Sequence, residues 1–213
     1  KYQSVSLSGL EGMQREDGLV GALEKAKAQG ALLIMAHPYW SGNAMEDALR
    51  WPFDGIEVYN HVCRWLNGKS YGLVHWDAAL RANRNTLAFA VDDAHLNSAE
   101  PVWNGGWIVV KAETCTSEAI LSAIRSGNFY SSCGPEIESI ELEGDTLTMR
   151  TSPIRYARLV GQQGRGVRAG SVDGPLLTDV SMRVPSDWQY VYAELEDDAG
   201  RRAWTNNLFI DEA

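Results

Sequence analysis

The sequence predicts an α/β fold: a mainly parallel sheet or α/β barrel over residues 1–134, followed by a small antiparallel β-domain, a sandwich, over residues 135–213. Three observations carry this expectation. Helix-period segments alternate with short apolar runs up to residue 134, the rhythm of strands spaced by helices. From Gly134-Pro135 onward the helical pattern stops, and short β-branched or alternating runs separated by turn residues replace it. Two apolar runs of the first part end in His37-Pro38 and Asp92-Asp93-Ala94-His95, and in parallel α/β architectures the carboxyl ends of the strands form the functional rim.

Taken in order, Leu19, Val20, Leu23 and Ala26 recur at helical spacing and predict a helix over Glu16 to Gln29, stopped by Gly30. Ala31 to Ala36 is continuously apolar and reads as a buried strand, ended where Pro38 cannot donate to a ladder. A short helix near Asn43 to Arg50 leads to a second strand, Gly55 to Tyr59. Ser70 to Ala82 reads as a helix, Thr86 to Val91 as the third strand and Gly106 to Ala112 as the fourth. Ser117 to Ser126, bounded by Thr116 and Gly127, is a further amphipathic helix. In the second part, strands are expected at Ile137 to Leu142, Leu147 to Thr151, Ala157 to Val160, Val180 to Val184, Tyr190 to Glu196 and Ala203 to Ile210. Gly144-Asp145 and Asp198-Ala199-Gly200 supply turns between them, and Gly161 to Gly174 is glycine-rich enough to form a mobile loop.

The 213 residues are 45% hydrophobic and 22% charged, an ordinary balance for a globular chain and enough to bury a sizeable core. A net charge of -9 and a pI near 4.9 argue against a nucleic-acid partner, which needs a basic surface to displace counterions. Cys63, Cys115 and Cys133 lie far apart with no C-x-x-C, so neither a disulfide framework nor a thiolate zinc site is indicated. With no apolar stretch of about 18 residues and no signal-peptide pattern, no membrane partner and a cytoplasmic location are expected. The chain starts at Lys1 rather than Met, which points to an upstream segment.

Side chains two apart on an extended backbone point to the same side, so Asp93 and His95 can face one metal cluster together. With His37 they make three donors suited to Zn²⁺, Mn²⁺ or Fe²⁺. The alternatives are His37 as a loop imidazole bonded to backbone beside Pro38, and Asp93 as a helix N-cap or turn residue. Glu57, in the middle of a strand, is expensive to bury unmatched. It either supports the metal rim by orienting a ligand imidazole or pairs with Arg64 or Arg84. His61 either reaches the cleft or sits on a surface loop, and Asp92 is a candidate support for its neighbour. His75 reads as a structural hydrogen-bond partner, and Trp76 and Trp204 read as core. Tyr39, Trp40, Trp51 and the segment from Trp103 to Trp107 are candidates to wall a cleft, with core packing as the alternative.

Four segments, Ala36-His-Pro-Tyr-Trp40, Gly55-Ile-Glu-Val-Tyr-Asn60, Ala90-Val-Asp-Asp-Ala-His95 and Gly127-Asn-Phe-Tyr-Ser-Ser-Cys-Gly-Pro135, resemble successive motifs of the PHP (polymerase and histidinol phosphatase) metallohydrolase superfamily. The branch they are most similar to is the CehA/McbA-like metallohydrolases, whose β-domain ending also resembles Asp198 to Asn206. The resemblance runs over roughly residues 18 to 210. It implies part of a distorted (β/α)₇ PHP-type barrel carrying up to three divalent metals, with His37, Asp93 and His95 as ligands. It further implies hydrolysis of a small-molecule phosphate or other ester by a metal-activated water, with no catalytic side chain assigned.

The chain departs from that pattern at its start. The family's opening His-x-His and the ligands that follow it are missing, no histidine precedes His37, and Ser4 stands about where relatives often place a ligand histidine. The metal site is therefore expected to be incomplete in this chain, and whether it is an enzyme stays open. The competing expectation is a non-catalytic PHP remnant acting as a ligand-binding or protein-interaction module. Open barrel edges would favour a homo-oligomer.

Overall fold

The computed structural model describes residues 16–82, 85–95 and 102–208; Ser4 and Arg84, singled out in the sequence, lie outside the described residues. The first described element is α1 (Glu16–Ala28), which ends as Gly30, at φ 77°, donates its N–H to the Lys27 carbonyl. Strand β1 is only Ile34–Met35, shorter than its apolar run, because Asp54 takes over the bonds before it. The Leu33 N–H donates to Asp54 Oδ2 at 2.8 Å, and the Leu33 carbonyl accepts from the Asp54 and Gly55 N–H groups. Pro38 then opens a one-turn helix, α2 (Pro38–Ser41), at the first position, where its missing N–H costs nothing. Next come α3 (Met45–Arg50), β2 (Gly55–Asn60), α4 (His61–Asn67), α5 (Leu73–Ala82) and β3 (Leu87–Val91). β1, β2 and β3 form a three-stranded parallel sheet in that order, with a bulge between Glu57 and Tyr59.

Here the expected (β/α)₇ barrel is overturned. The fourth expected strand, β4 (Trp107–Val110), does not extend the parallel sheet. After α6 (Ser117–Arg125) the chain returns as β5 (Phe129–Ser132), antiparallel to β4. The remaining strands are β6 (Ile137–Glu143), β7 (Thr146–Ile154), β8 (Tyr156–Val160), β9 (Gly166–Ala169), β10 (Leu177–Arg183), β11 (Tyr192–Glu196) and β12 (Arg202–Thr205). A six-stranded antiparallel sheet runs β4-β5-β12-β11-β8-β9, and a three-stranded one runs β10-β7-β6. Two of the three sheets are antiparallel and no barrel closes among the described residues. The boundary expected at residue 135 falls inside the six-stranded sheet, which takes β4 and β5 from one side of it and four strands from the other.

Side chains take the hydrogen-bonding edge of β3 that another barrel strand would need. Ser131 Oγ accepts from the Ala90 N–H and donates to the Ala88 carbonyl, both at 2.8 Å, and Asn206 Oδ1 accepts from the Ala88 N–H at 2.9 Å. The parallel ladder stops at β3, where side chains take the Ala88 N–H and carbonyl and the Ala90 N–H in place of a further strand.

The central strands β11 and β12 of the six-stranded sheet bury both faces. Ala193 and Leu195 of β11, with Ala157, Leu159 and Ala203, pack on Leu147, Met149, Val180 and Met182 of the three-stranded sheet. The alternate residues Tyr192 and Trp204 turn to Ile56, Val58, Tyr59, Trp76 and Leu80 of the parallel-sheet layer. Period-two alternation thus builds one sandwich core and one α/β core from the same strands. Among the described residues no helix is long and apolar enough to cross a membrane.

Candidate metal centre

The carboxyl ends of β1, β2 and β3 gather His37, Glu57, Asn60, Asp93 and His95. His37 follows β1 in a left-handed conformation, φ 28° and ψ 58°, that L-residues adopt only under constraint. Its backbone N–H donates to Glu57 Oε2 at 2.7 Å, and its Nδ1 lies 2.8 Å from Ser41 Oγ. With Nδ1 engaged, Nε2 faces Asp93, 3.9 Å from Oδ2. Asp93 itself sits at φ 54°, a conformation aspartate tolerates better than most residues. The expected same-side alternation of Asp93 and His95 therefore does not apply: both lie beyond the end of β3. A turned backbone rather than a pleat brings His95 Nε2 to 3.6 Å from Asp93 Oδ1.

Glu57 is matched by hydrogen bonds, from the His37 N–H and from Asn60 Nδ2 at 3.0 Å, so it supports the histidine through its backbone rather than its imidazole. Burial pushes its carboxyl pKa up, and these two hydrogen bonds pull partly back. Asn60, fully buried, also reaches Asp93 Oδ2 at 3.2 Å with Nδ2, while its Oδ1 accepts from the Cys63 N–H at 2.9 Å and caps α4. Burial, with the carboxylates of Asp93 and Glu57 nearby, pushes the Cys63 thiol up to about 11, so it stays protonated at neutral pH.

Of the other sequence candidates, Trp40 touches this cluster through the His37 ring, while Asp92, His61 and His75 are held by other partners. Asp92 accepts three backbone N–H bonds, from Asn104 at 2.7 Å and from Gly105 and Gly106 at 2.8 Å each, and so fastens that loop. His61 begins α4 with Nδ1 3.2 Å from the Tyr59 hydroxyl and its ring against Gly105. His75 is buried and fixed by the Asn43 carbonyl at 2.9 Å. Tyr39 and Trp40 are exposed on α2, with Trp40 edge-on to the His37 ring at 5.0 Å and Lys69 Nζ 5.4 Å over the Tyr39 ring. The sequence assigns no role to Asn60 or Ser41. An Asn between a strand and a helical run is an N-cap signal that could have drawn attention to Asn60.

Donors on one divalent ion, at about 2.0–2.2 Å from it, stand roughly 3–4 Å apart. The His37–Asp93 and Asp93–His95 pairs fit that span, each through a different carboxylate oxygen. Among the described residues, however, no three His, Cys, Asp or Glu side chains converge to hold an ion. Among the described residues these are two His–Asp pairs that share Asp93.

Comparison with family models, curated proteins and solved structures gives no match.

Proposed function

We propose that this rim is a divalent-cation site of PHP type, belonging to a metal-dependent hydrolase that acts on a phosphate ester or a related small ester. The observation that carries the reading is Asp93, held with one oxygen toward the His37 imidazole and the other toward His95. A cation there supplies Lewis acidity toward an ester oxygen and lowers the pKa of water. What the chain's own residues contribute is placement: Glu57 fixes the His37 backbone, Ser41 engages Nδ1 so that Nε2 is presented, and Asn60 holds Asp93. The resemblance of the four motif segments to PHP proteins supports the same assignment.

The lack of a three-donor group among the described residues favours a second reading, a remnant that binds a ligand or partner without hydrolysis. Metal analysis and titration of chelator-free protein with Mn²⁺ and Zn²⁺ separate the two, together with assay on phosphomonoester and phosphodiester model substrates. Cation binding that is lost in Asp93→Ala and His37→Ala, with hydrolysis, supports the enzyme. Binding below about a tenth of an ion per chain and no turnover sinks it.

A further inference from the structure

We infer that Asn60 is a positioning residue for the cation site, fixing the Asp93 carboxylate in the orientation that splits its two oxygens between His37 and His95; this rests on the cation-site reading above. Asn60 is fully buried at the last position of β2, where every polar atom of its side chain has a partner. The two amide hydrogens go to Glu57 Oε2 and Asp93 Oδ2, and the carbonyl oxygen takes the Cys63 N–H. This amide orientation is fixed by chemistry: flipping it would aim an oxygen at two carboxylates and an NH₂ at an N–H donor.

Asp93 needs such a brace because its backbone is left-handed and no strand ladder holds it. Its Oδ2 carries the Asn60 bond on the side facing His37, which fixes rotation of the carboxylate and leaves Oδ1 directed to His95. The same amide bonds Glu57, which fixes the strained backbone of His37. One side chain thereby sets Asp93 and His37 relative to each other, and partners of this kind set metal affinity by about 10–100-fold.

The test separates positioning from capping. Asn60→Ser keeps an oxygen to cap α4 but loses the amide bridge; Asn60→Ala loses both. Wild type, both variants and Asp93→Ala are titrated with Co²⁺, following visible absorption, and their metal-free thermal unfolding is compared. The expected result is that Asn60→Ser binds about 10–100-fold more weakly with a shifted absorption band, while its metal-free unfolding midpoint stays above that of Asn60→Ala. Wild-type affinity and spectrum in Asn60→Ser, with binding lost in Asp93→Ala, overturns the role of Asn60. Wild-type binding in Asp93→Ala as well overturns the cation site itself.

Discussion

Asn206 Oδ1 accepts the Ala88 backbone N–H at 2.9 Å, joining residues 118 positions apart at the point where the parallel sheet ends and the antiparallel sheet begins. The same amide donates to the Gly127 and Phe129 carbonyls, so one side chain ties β3, the start of β5 and the chain just after β12. Asn206→Ala leaves a buried N–H and two carbonyls short of partners, and an orphaned buried group costs about 1–3 kcal/mol. The expected loss is roughly 2–4 kcal/mol in chemical denaturation, with hydrogen exchange at the Ala88 amide accelerated beyond the global effect. A loss under about 0.5 kcal/mol would show that the edge of β3 is satisfied some other way.

That tie also explains which parts of the fold could be read from the sequence. Local elements such as α5 and β2 lie within or close to the spans their periodicity marks, because an amphipathic or apolar run records burial directly. Strand pairing leaves no such record. Trp107 to Val110 is apolar at every position, which suits a central strand of either sheet type, and Phe129 to Ser132 is half serine and carries no strand pattern. Its Ser131 is buried by acting as a substitute strand for β3, a role that exists only once the two sheets meet. At the site, His37, Asp93 and His95 were legible because strand ends followed by donors stand out. Asn60 was hidden because its work is done across 33 residues, on Asp93.

Glu57 makes stability depend on pH in a defined direction. Burial is the largest cause raising its pKa in the folded state above the ordinary carboxylate value of 4.5, so in the window between the two values the native state binds more protons than the unfolded one. Stability from this group is therefore greatest below the unfolded value and declines as pH rises through the raised, folded one. Gln at this position can still accept from the His37 N–H and the Asn60 amide through its carbonyl. Glu57→Gln should flatten this part of the stability profile above pH 4.5, measured by denaturation at stepped pH. An unchanged slope would mean that Glu57 keeps its ordinary value.

Asp92 accounts for the order of the loop before β4. Three backbone N–H groups converge on its two oxygens, and a charged acceptor makes each bond worth more than a neutral one. Asp92→Ala should destabilise the protein by about 2–4 kcal/mol and open the 103–106 segment to limited proteolysis. Asp92→Asn, which keeps one acceptor oxygen, should fall between. Equal protease resistance in all three proteins would remove the clasp from the account.

The residue clasped by Asp92 also meets His61, and the pair gives a test that cancels background effects. Gly105 is not among the residues at positive φ, so its backbone would accept alanine; what forbids one is the His61 ring, which a Cβ at that position would overlap. Overpacking of this kind costs about 1–3 kcal/mol. The ring cannot swing away freely, because its Nδ1 is 3.2 Å from the Tyr59 hydroxyl, and Tyr59 is packed against Tyr71 and Trp204 at 5.5 and 6.4 Å. Gly105→Ala should therefore be costly in the wild-type background and nearly neutral once His61→Ala has vacated the space. A coupling of about 1 kcal/mol or more in that double-mutant cycle is expected. Additive losses would place the cost of the alanine in the loop backbone instead.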